Sequence, residues 1–521
     1  MSHCVRGIVL SALVLAAALA ARGEDWPQWR GPAQNGVAPA AVELVDSWPA
    51  SGPKVVWLSD KLPGAADGGF SSLSVAGGRG YVFVNWKTHE PIQVRRLSEG
   101  ALTRLGWTKL KLPEDLAKAM EEARTSEDRA KLKGAELRAW VEKWVAEHVP
   151  KDPNVKYAQY VTERLNRGAG AMSLATLDKL ASIKDKAFDD QAAIDQWLRD
   201  ANLADAEKKA VLREVPTTEP RAQDVIVCLT LADGKIAWKK EYPGKPSDYG
   251  SSSTPCVAGG RVYVAGTKTV YCLEAAGGNE VWKVPVKASD VSSSPVLVDG
   301  VLAILAGELV GLDPRDGNRL WAQPKAKGAN PSPVVWRKDG KAYLLCNTGG
   351  STVACVEAAT GRLLWEVPGG GSGTVALGQD AFVIFSERKE TGLAAYRLTV
   401  EKPEKLWSQP WTDRGTTPVI EGNCVYAVGS NKAVCLRLAD GNVAWEQKYA
   451  CEIASPIVAG GRVFALVEGG GTLLMVKAAP ETFDLLSKCK LKAASCSSPI
   501  LVDGRLYVRL VDCVACYDVR K

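Results

Sequence analysis

Short apolar runs separated by glycine-containing turns occupy most of the chain. In "SSTPCVAGGRVYVAG", which starts at Ser252, a hydroxyl-rich start precedes a short apolar run, a Gly-Gly turn and an alternating run. Alternating apolar positions on both sides of a tight turn indicate a β-hairpin whose strands are half buried. Similar stretches start at Ser292, Asn330, Thr416, Ala454 and Cys496. The pattern therefore predicts a chain built from repeated hairpins.

A third strand and a tryptophan-bearing fourth strand follow the hairpins. "LADGKIAW", ending at Trp238, and "LADGNVAW", ending at Trp445, are two copies of one turn-and-strand phrase. We expect the glycine to allow the tight turn. We expect the indole to lie flat between neighbouring units, where its N–H can donate a hydrogen bond to a carbonyl. The docking tryptophans are Trp57, Trp238, Trp282, Trp321, Trp365, Trp407 and Trp445, and the turn glycines are Gly234, Gly278, Gly317, Gly361 and Gly441.

The spacing of these phrases predicts a radial repeat. Intervals of about 41 residues between tryptophans are typical of propeller blades, and we count eight units. The last unit, from Cys496 to Lys521, has no fourth strand, whereas "PKVVWLSDKLPG" at Pro53–Gly64 is a strand without a unit. We predict an all-β fold, an eight-bladed β-propeller of four-stranded antiparallel blades. Pairing of Val55–Leu58 with Val514–Val519 would close it and remove the exposed edges.

A segment of different composition interrupts the first unit. Residues 110–216 are rich in Ala, Leu, Lys, Glu and Asp, and "AELRAWVEKWVAEH" places apolar residues on one helical face. We predict an inserted all-α domain of four to six helices. The predicted division is a signal peptide at 1–23, an arm and closing strand at 24–64, the first half of the first blade at 65–109, the helical domain at 110–216 and the rest of the propeller at 217–521.

The start of the chain predicts export. Arg6 precedes the short apolar run "GIVLSALVLAAALAA", and small residues follow it, as in a cleaved signal peptide. We expect a periplasmic or secreted protein with no transmembrane segment in the mature chain. A net charge of +6 over 521 residues is too weak a basic bias for a nucleic-acid partner.

The repeats resemble the tryptophan-docking repeats of the pyrroloquinoline-quinone (PQQ) propeller superfamily. "DWPQWRGPAQNGVA", at residues 25–38, is similar to the opening common in that superfamily. Its members include quinoprotein alcohol dehydrogenases and an outer-membrane-protein assembly lipoprotein. The dehydrogenases of that superfamily hold PQQ against a disulfide between adjacent cysteines and bind calcium through acidic and amide groups. The resemblance implies that a PQQ site in this chain would use groups of the same kinds. This chain has no adjacent cysteine pair, so we predict neither cofactor nor metal and keep PQQ with calcium as the alternative.

Catalytic side chains are sparse. The chain has 3 His residues, too few and too scattered for a multi-histidine metal site or a Ser-His-Asp triad. Five cysteines share one third-strand position, which we interpret as a small buried packing site, and they are Cys228, Cys272, Cys355, Cys435 and Cys516.

Hydroxyl groups recur at the starts of the first strands and form the remaining candidate site. They are Ser252, Ser293, Ser332, Thr417, Ser455 and Ser498. We favour local bonding to loop backbone groups, as Ser and Thr often do in turns, over a polar pocket at a channel mouth.

The leading hypothesis is an exported, non-catalytic propeller that binds a protein or an envelope polymer. Its face, its channel mouth or the helical insertion would carry the contact. The alternatives are a PQQ-dependent oxidoreductase and a propeller that binds or senses a small ligand.

Overall fold

A computed structural model of the chain describes residues 25–39, 42–64, 68–150, 157–248, 250–288 and 290–521. The predicted signal peptide lies outside this described part. Within the described residues, no helix combines the length and apolar character needed to cross a membrane. The chain divides into two compact units, one formed by the residues up to Thr88 with Arg221–Lys521, and the other by His89–Pro220.

The first unit consists of eight β-sheets, in which strands consecutive in the chain pair antiparallel. We number the sheets in chain order and the strands within each sheet from first to fourth. Sheet 1 is Ser74–Ala76, Arg79–Pro91, Thr218–Thr230 and Ile236–Gly244. Sheet 2 is Cys256–Ala258, Arg261–Ala265, Thr269–Glu274 and Glu280–Pro285. Sheet 3 is Val296–Val298, Val301–Leu305, Gly307–Leu312 and Arg319–Gly328. Sheet 4 is Val334–Lys338, Lys341–Asn347, Thr352–Glu357 and Leu363–Pro368.

Sheets 5 to 8 continue the same order. Sheet 5 is Ala376–Leu377, Ala381–Phe385, Leu393–Arg397 and Glu404–Gln409. Sheet 6 is Val419–Glu421, Cys424–Gly429, Lys432–Arg437 and Val443–Lys448. Sheet 7 is Ile457–Ala459, Arg462–Val467, Thr472–Lys477 and Leu485–Lys490. Sheet 8 takes its first three strands from Ile500–Val502, Arg505–Arg509 and Val514–Asp518, and its fourth from Lys54–Leu58.

The fourth strand of sheet 8 confirms the predicted pairing between the two ends of the chain. Lys54–Leu58 runs antiparallel to Val514–Asp518, with Trp57 opposite Cys516 and an irregularity between Val55 and Trp57. Sheet 7 differs from the prediction, because the two-residue strand Val37–Ala38 adds to it in parallel.

Apolar clusters join each sheet to the next. One cluster combines side chains of sheets 2 and 3, and the following clusters continue through sheets 6 and 7. A larger cluster joins sheets 7, 8 and 1, and another joins sheets 1 and 2. Because the middle strands are covered on both faces, all five residues of Val301–Leu305 are buried.

The second unit contains eight α-helices among its described residues. They are α1 (Glu99–Leu105), α2 (Glu114–Thr125), α3 (Glu127–Lys131), α4 (Gly134–His148), α5 (Tyr157–Arg167), α6 (Leu174–Ala181), α7 (Gln191–Asp200) and α8 (Asp205–Glu214). A 3₁₀ turn spans Gly168–Gly170. The prediction of four to six helices was too low, because several of these helices are short.

The second unit also corrects the predicted character and start of the insertion. It is not entirely helical, since Arg95–Arg96 pairs antiparallel with Ala187–Phe188. Helix formation begins in the segment predicted as blade, at α1, where the hydroxyl of Ser98 accepts a hydrogen bond from the Ala101 N–H. In α4 the predicted apolar face is only partly used, because Val141 is buried but His148 is exposed and stacks on Trp144.

The seven predicted docking tryptophans each bond to the next sheet. Trp238 Nε1 donates to the Ala275 carbonyl at 3.1 Å, and Trp407 Nε1 donates to the Leu438 carbonyl at 2.7 Å. The other five indoles, of Trp57, Trp282, Trp321, Trp365 and Trp445, donate to the carbonyls of Leu231, Pro314, Ala358, Thr399 and Ala479. Each acceptor lies in or beside the turn that leads to the fourth strand of the following sheet.

The turn glycines receive the ring of the preceding sheet. Gly278 has a φ of +71°, and a Cβ there would lie 2.7 Å from the Trp238 ring. The same contact pairs Gly234 with Trp57, Gly317 with Trp282, Gly361 with Trp321 and Gly441 with Trp407. The glycine therefore serves its neighbour's tryptophan as well as its own turn, which the sequence analysis did not foresee.

The third-strand cysteines face the tryptophans across the strand pair. Cys228 lies opposite Trp238 and Cys272 opposite Trp282, whereas sheet 3 has Gly311 opposite Trp321. A Cβ at Gly311 would lie 2.3 Å from the indole, so no side chain fits at this position of sheet 3 unless the ring moves. The twelve cysteines of the described residues are all free, and eleven of them are buried.

Sheet 7 has no tryptophan in its fourth strand. Ser487 occupies the position opposite Met475, and Trp48 of the N-terminal arm lies there instead. The Trp48 N–H of the backbone donates to Ser487 Oγ at 2.9 Å, and the indole stacks on Phe464 at 6.3 Å between ring centroids.

We predict that Gly278→Ala destabilises the protein more than Gly300→Ala. Both glycines have positive φ, but a Cβ at Gly300 would meet nothing within 4 Å. Gly300→Ala should cost about 1 kcal/mol for the backbone conformation alone. Gly278→Ala should cost about 2 kcal/mol more, because the methyl group displaces the Trp238 ring. Urea unfolding of both variants measures the difference, and equal losses would contradict the docking role.

Candidate functional site

A series of hydrogen bonds links the first strands of successive sheets. The backbone N–H of Thr254 donates to Ser294 Oγ at 2.9 Å, and that of Ser294 donates to Ser332 Oγ at 2.9 Å. The series continues from Ser332 N to Thr374 Oγ1 at 3.2 Å and from Thr374 N to Thr417 Oγ1 at 3.1 Å. Each hydroxyl thus holds the strand of the preceding sheet, and not a group of its own turn.

The series passes through sheets 7 and 8 and returns to sheet 1. Thr417 N donates to the Ala454 carbonyl, and Ser498 Oγ donates to the Ser455 carbonyl at 2.9 Å. Ser498 N then donates to Ser72 Oγ at 2.8 Å, and Ser72 N donates to Thr254 Oγ1 at 3.2 Å. Among the predicted hydroxyls, those of Ser332, Thr417 and Ser498 therefore act between sheets, whereas local bonding was the favoured expectation.

A cavity of about 360 Å³ lies where these strands begin, and every sheet or the segment leading into it contributes to its wall. Four of the six predicted hydroxyl residues line it, namely Ser252, Ser332, Thr417 and Ser455. The other two do not. Ser293 Oγ accepts from Leu305 N within its own sheet at 3.2 Å, and Ser498 bonds to the Ser455 carbonyl.

Several lining residues were missed by the sequence analysis. They are Trp29, Phe70, Gly250, Ser292, Ser294, Asn330, Ser372, Thr374, Glu387, Arg414, Gly415, Ile453 and Cys496. The sequence does mark part of this set. Of the eight hydroxyl residues in the series of hydrogen bonds between sheets, six directly precede a proline, as in Ser294-Pro295. The choice of Ser293 was one residue out, and neighbouring residues of an extended chain point to opposite sides.

The N-terminal arm crosses beside this cavity and binds the carbonyls of those prolines. Arg30 is 2% exposed, and its guanidinium donates to the carbonyls of Pro456 at 2.5 Å and Pro418 at 2.9 Å. Gln34 Nε2 donates to the Pro333 carbonyl at 3.2 Å. Burial lowers the pKa of Arg30 to about 9. The arm therefore bonds to sheets 4, 6 and 7, which are all distant from it in the chain.

The charged groups of the cavity wall are engaged in ion pairs. Arg414 lies 2.6 Å from Glu452, and Glu387 lies 3.6 Å from Arg388. A separate carboxylate, Asp224, is fully buried at the junction of sheets 1 and 2.

Asp224 accepts hydrogen bonds from Asn85, Tyr271 and Thr267, the last through both its backbone N–H and its hydroxyl. Asn85 Nδ2 donates at 3.0 Å, the Tyr271 hydroxyl at 3.1 Å and the Thr267 N–H at 3.3 Å. Burial raises the pKa of Asp224 to about 6, although these donors lower it in part. The glycine at position 266 leaves room for the carboxylate, since a Cβ there would lie 2.2 Å from Asp224 Oδ2.

The cavity is a poor match for a calcium-bound PQQ site. Its lining offers one carboxylate, Glu387, and one amide, Asn330, as oxygen ligands. Cys496 is the only cysteine in the lining. In the part of the chain that the structure describes, no three His, Cys, Asp or Glu side chains converge as metal ligands would.

Comparison with known proteins supports the family resemblance. A family model for the outer membrane protein assembly factor BamB matches residues 221–379 and 393–480. BamB of Yersinia pestis is 25% identical over 291 residues, which are 53% of this chain and 64% of that factor. Quinohemoprotein alcohol dehydrogenase ADH IIB of Pseudomonas putida is 25% identical over 157 residues, 26% of this chain and 22% of the enzyme.

The chain thus spans less than two thirds of either relative. Two solved structures are also similar. BamB from Moraxella catarrhalis has a TM-score of 0.45 and 15% identity, covering 56% of this chain and 87% of its own. Quinohemoprotein alcohol dehydrogenase from Comamonas testosteroni has a TM-score of 0.44 and 13% identity, covering 58% and 73%. The predicted resemblance to PQQ-like repeat proteins is confirmed by the family match and the two relatives.

We predict that Asp224 makes stability fall with rising pH. The folded-state pKa of about 6 exceeds the ordinary value of 3.8, so the folded protein keeps a proton that the unfolded chain has lost between these pH values. The contribution of this proton to the free energy of unfolding is fully present below about pH 4 and is lost above about pH 6, a change of about 3 kcal/mol. Urea unfolding of the native protein and Asp224→Asn at pH 4 to 7 should show this difference. Parallel pH profiles would contradict it.

Proposed function

Because the chain carries PQQ-like repeats, we propose that its eight sheets form an eight-bladed propeller that acts as a non-catalytic binding scaffold. Three observations support the ring. Apolar clusters link successive sheets from sheet 1 to sheet 8 and back to sheet 1. The hydrogen bonds between first strands follow the same order. The N-terminal strand completes the sheet formed by the C-terminal strands.

The observation that carries the binding role is one cavity to whose wall every sheet, or the segment leading into it, contributes. Its hydroxyl oxygens accept backbone N–H groups of neighbouring sheets, as Ser294 and Ser332 do. Groups fixed in this way form a preorganised surface, which favours recognition without rearrangement.

The partner in this proposal is a protein or an envelope polymer, and the protein acts after export to the periplasm or beyond. One relative is an outer membrane protein assembly factor, which supports a protein partner. The apolar run near the start of the sequence supports export.

We predict that a photo-crosslinking residue at position 387 captures a macromolecule in native cells, whereas one at position 339 does not. Glu387 lines the cavity, and Asp339 lies in the turn at the far end of the first strand of sheet 4. Covalent adducts are separated by electrophoresis and identified by mass spectrometry. Equal capture at both positions, or none at either, would contradict a partner at the cavity face.

The second candidate is a PQQ-dependent oxidoreductase. The match to a quinohemoprotein alcohol dehydrogenase, and the presence of Glu387 and Asn330 in the cavity, favour testing it. We predict that purified protein mixed with PQQ and calcium and then passed through a desalting column retains no quinone absorbance. Retention of one quinone per chain would replace the scaffold proposal with the enzyme.

A further inference from the structure

The cavity wall presents hydrogen-bond donors that the protein does not use. Ser294, Ser332, Thr374 and Thr417 each accept a backbone N–H from the preceding sheet. Within the described residues, none of these four hydroxyls donates a hydrogen bond in return. A hydroxyl has one proton to donate, so each of the four can donate to a ligand. All four residues are at most 4% exposed and line the cavity.

A fifth unused donor comes from the N-terminal arm. Trp29 lines the cavity, and its Nε1 is buried without a partner among the described residues. An unpaired buried N–H normally costs about 1–3 kcal/mol, so an acceptor supplied by a ligand would recover that loss.

The positive charge of Arg30, beside the cavity, also favours a ligand that carries negative charge. The next residue after Trp29 is Arg30, whose guanidinium is bonded to two proline carbonyls and forms no ion pair within the described part of the chain. The carboxylates near the wall, of Glu387 and Glu452, are each paired with another arginine. The positive charge of Arg30 is therefore not balanced locally, which favours a negative ligand.

We propose that this cavity binds a carboxylate group, whose oxygens accept hydrogen bonds from Trp29 and from hydroxyls of this set of four. A carboxylate has about four acceptor sites and no donor, which matches a wall of donors better than a neutral sugar or an ammonium group does. The group can belong to a small free acid or to the C-terminus of a peptide. The inference uses the cavity of the proposed function and deepens it by naming the chemistry recognised.

Isothermal titration of the full chain with three probes tests the chemistry. The probes are citrate, N-acetyl-tetra-alanine with a free C-terminus, and the same peptide with an amidated C-terminus. We expect binding of citrate, of the free-acid peptide, or of both, and no heat from the amide. Binding of citrate alone identifies a small acid, and binding of the free-acid peptide identifies a peptide terminus. Equal binding of the amidated peptide, or no binding of either acid, would overturn the proposal.

Two matched tryptophan variants test the geometry. Trp29→Phe removes an N–H that has no partner in the protein, so folding should be retained while affinity falls about fivefold to tenfold. Trp48→Phe removes a second unpartnered buried indole N–H, which lies against sheet 7 and outside the cavity lining, and should leave affinity unchanged. Unchanged affinity in Trp29→Phe, or an equal loss in Trp48→Phe, would overturn the role of Trp29.

The proposed scaffold role and the carboxylate site can fail separately. Carboxylate binding without capture of a macromolecule at position 387 would leave the site and remove the scaffold. Capture of a macromolecule together with no binding of either acid would leave the scaffold and remove the carboxylate preference.

Discussion

The docking of one indole against the next sheet is the interaction on which the rest of the first unit depends. A four-stranded sheet with both faces apolar cannot exist alone in water, so each sheet must be covered by two neighbours. A tryptophan buries about 150–250 Å², which corresponds to an upper estimate of roughly 4–6 kcal/mol for each ring. Its N–H also fixes direction, because it must reach a particular carbonyl, such as that of Ala275 for Trp238. The turn glycine is the other half of this contact, since any side chain at Gly278 would occupy the space of the ring. Sheet 7 is the exception, because its fourth strand has no tryptophan. Trp48 of the arm takes the place of the missing ring against this sheet.

The same succession of sheets creates the cavity. Once neighbours are held at their outer strands, the starts of the first strands are brought close enough for backbone-to-hydroxyl bonds such as Thr254 N to Ser294 Oγ. A proline after the hydroxyl explains why these starts are extended, since proline disfavours helical backbone in the preceding residue. Arg30 donates to the carbonyls of two of these prolines, Pro456 and Pro418, so the arm is anchored on the backbone of the repeats.

Repetition decided what could be predicted from the sequence. The tryptophans, their glycines and the pairing of Trp57 with the last strands follow from a phrase that occurs many times, so each copy supports the others. The helical insertion was predicted from composition, but its start at Glu99 was not, because one serine cap sets it. Trp29 and Arg30 belong to the arm and not to the repeat, and their positions beside the cavity depend on contacts between segments hundreds of residues apart. No local pattern carries that information. The choice of Ser293 failed for a simpler reason, because a run of three serines does not show which side chain faces the cavity.

This division between repeated and unique residues also separates stability from recognition. The repeated groups stabilise the contacts between sheets, since the docking tryptophan N–H groups have carbonyl partners and the hydroxyl oxygens accept hydrogen bonds from neighbouring strands. The groups left with unused hydrogen-bonding capacity include the protons of the four cavity hydroxyls and the N–H of Trp29, and these five donors line the cavity. A frame of eight similar sheets offers several similar donors, whereas a ligand needs one orientation. The arm breaks that similarity by placing one indole and one buried cation on a single side. Recognition at this site is therefore expected to depend on the arm more than on the repeats, even though the repeats build the space that it occupies.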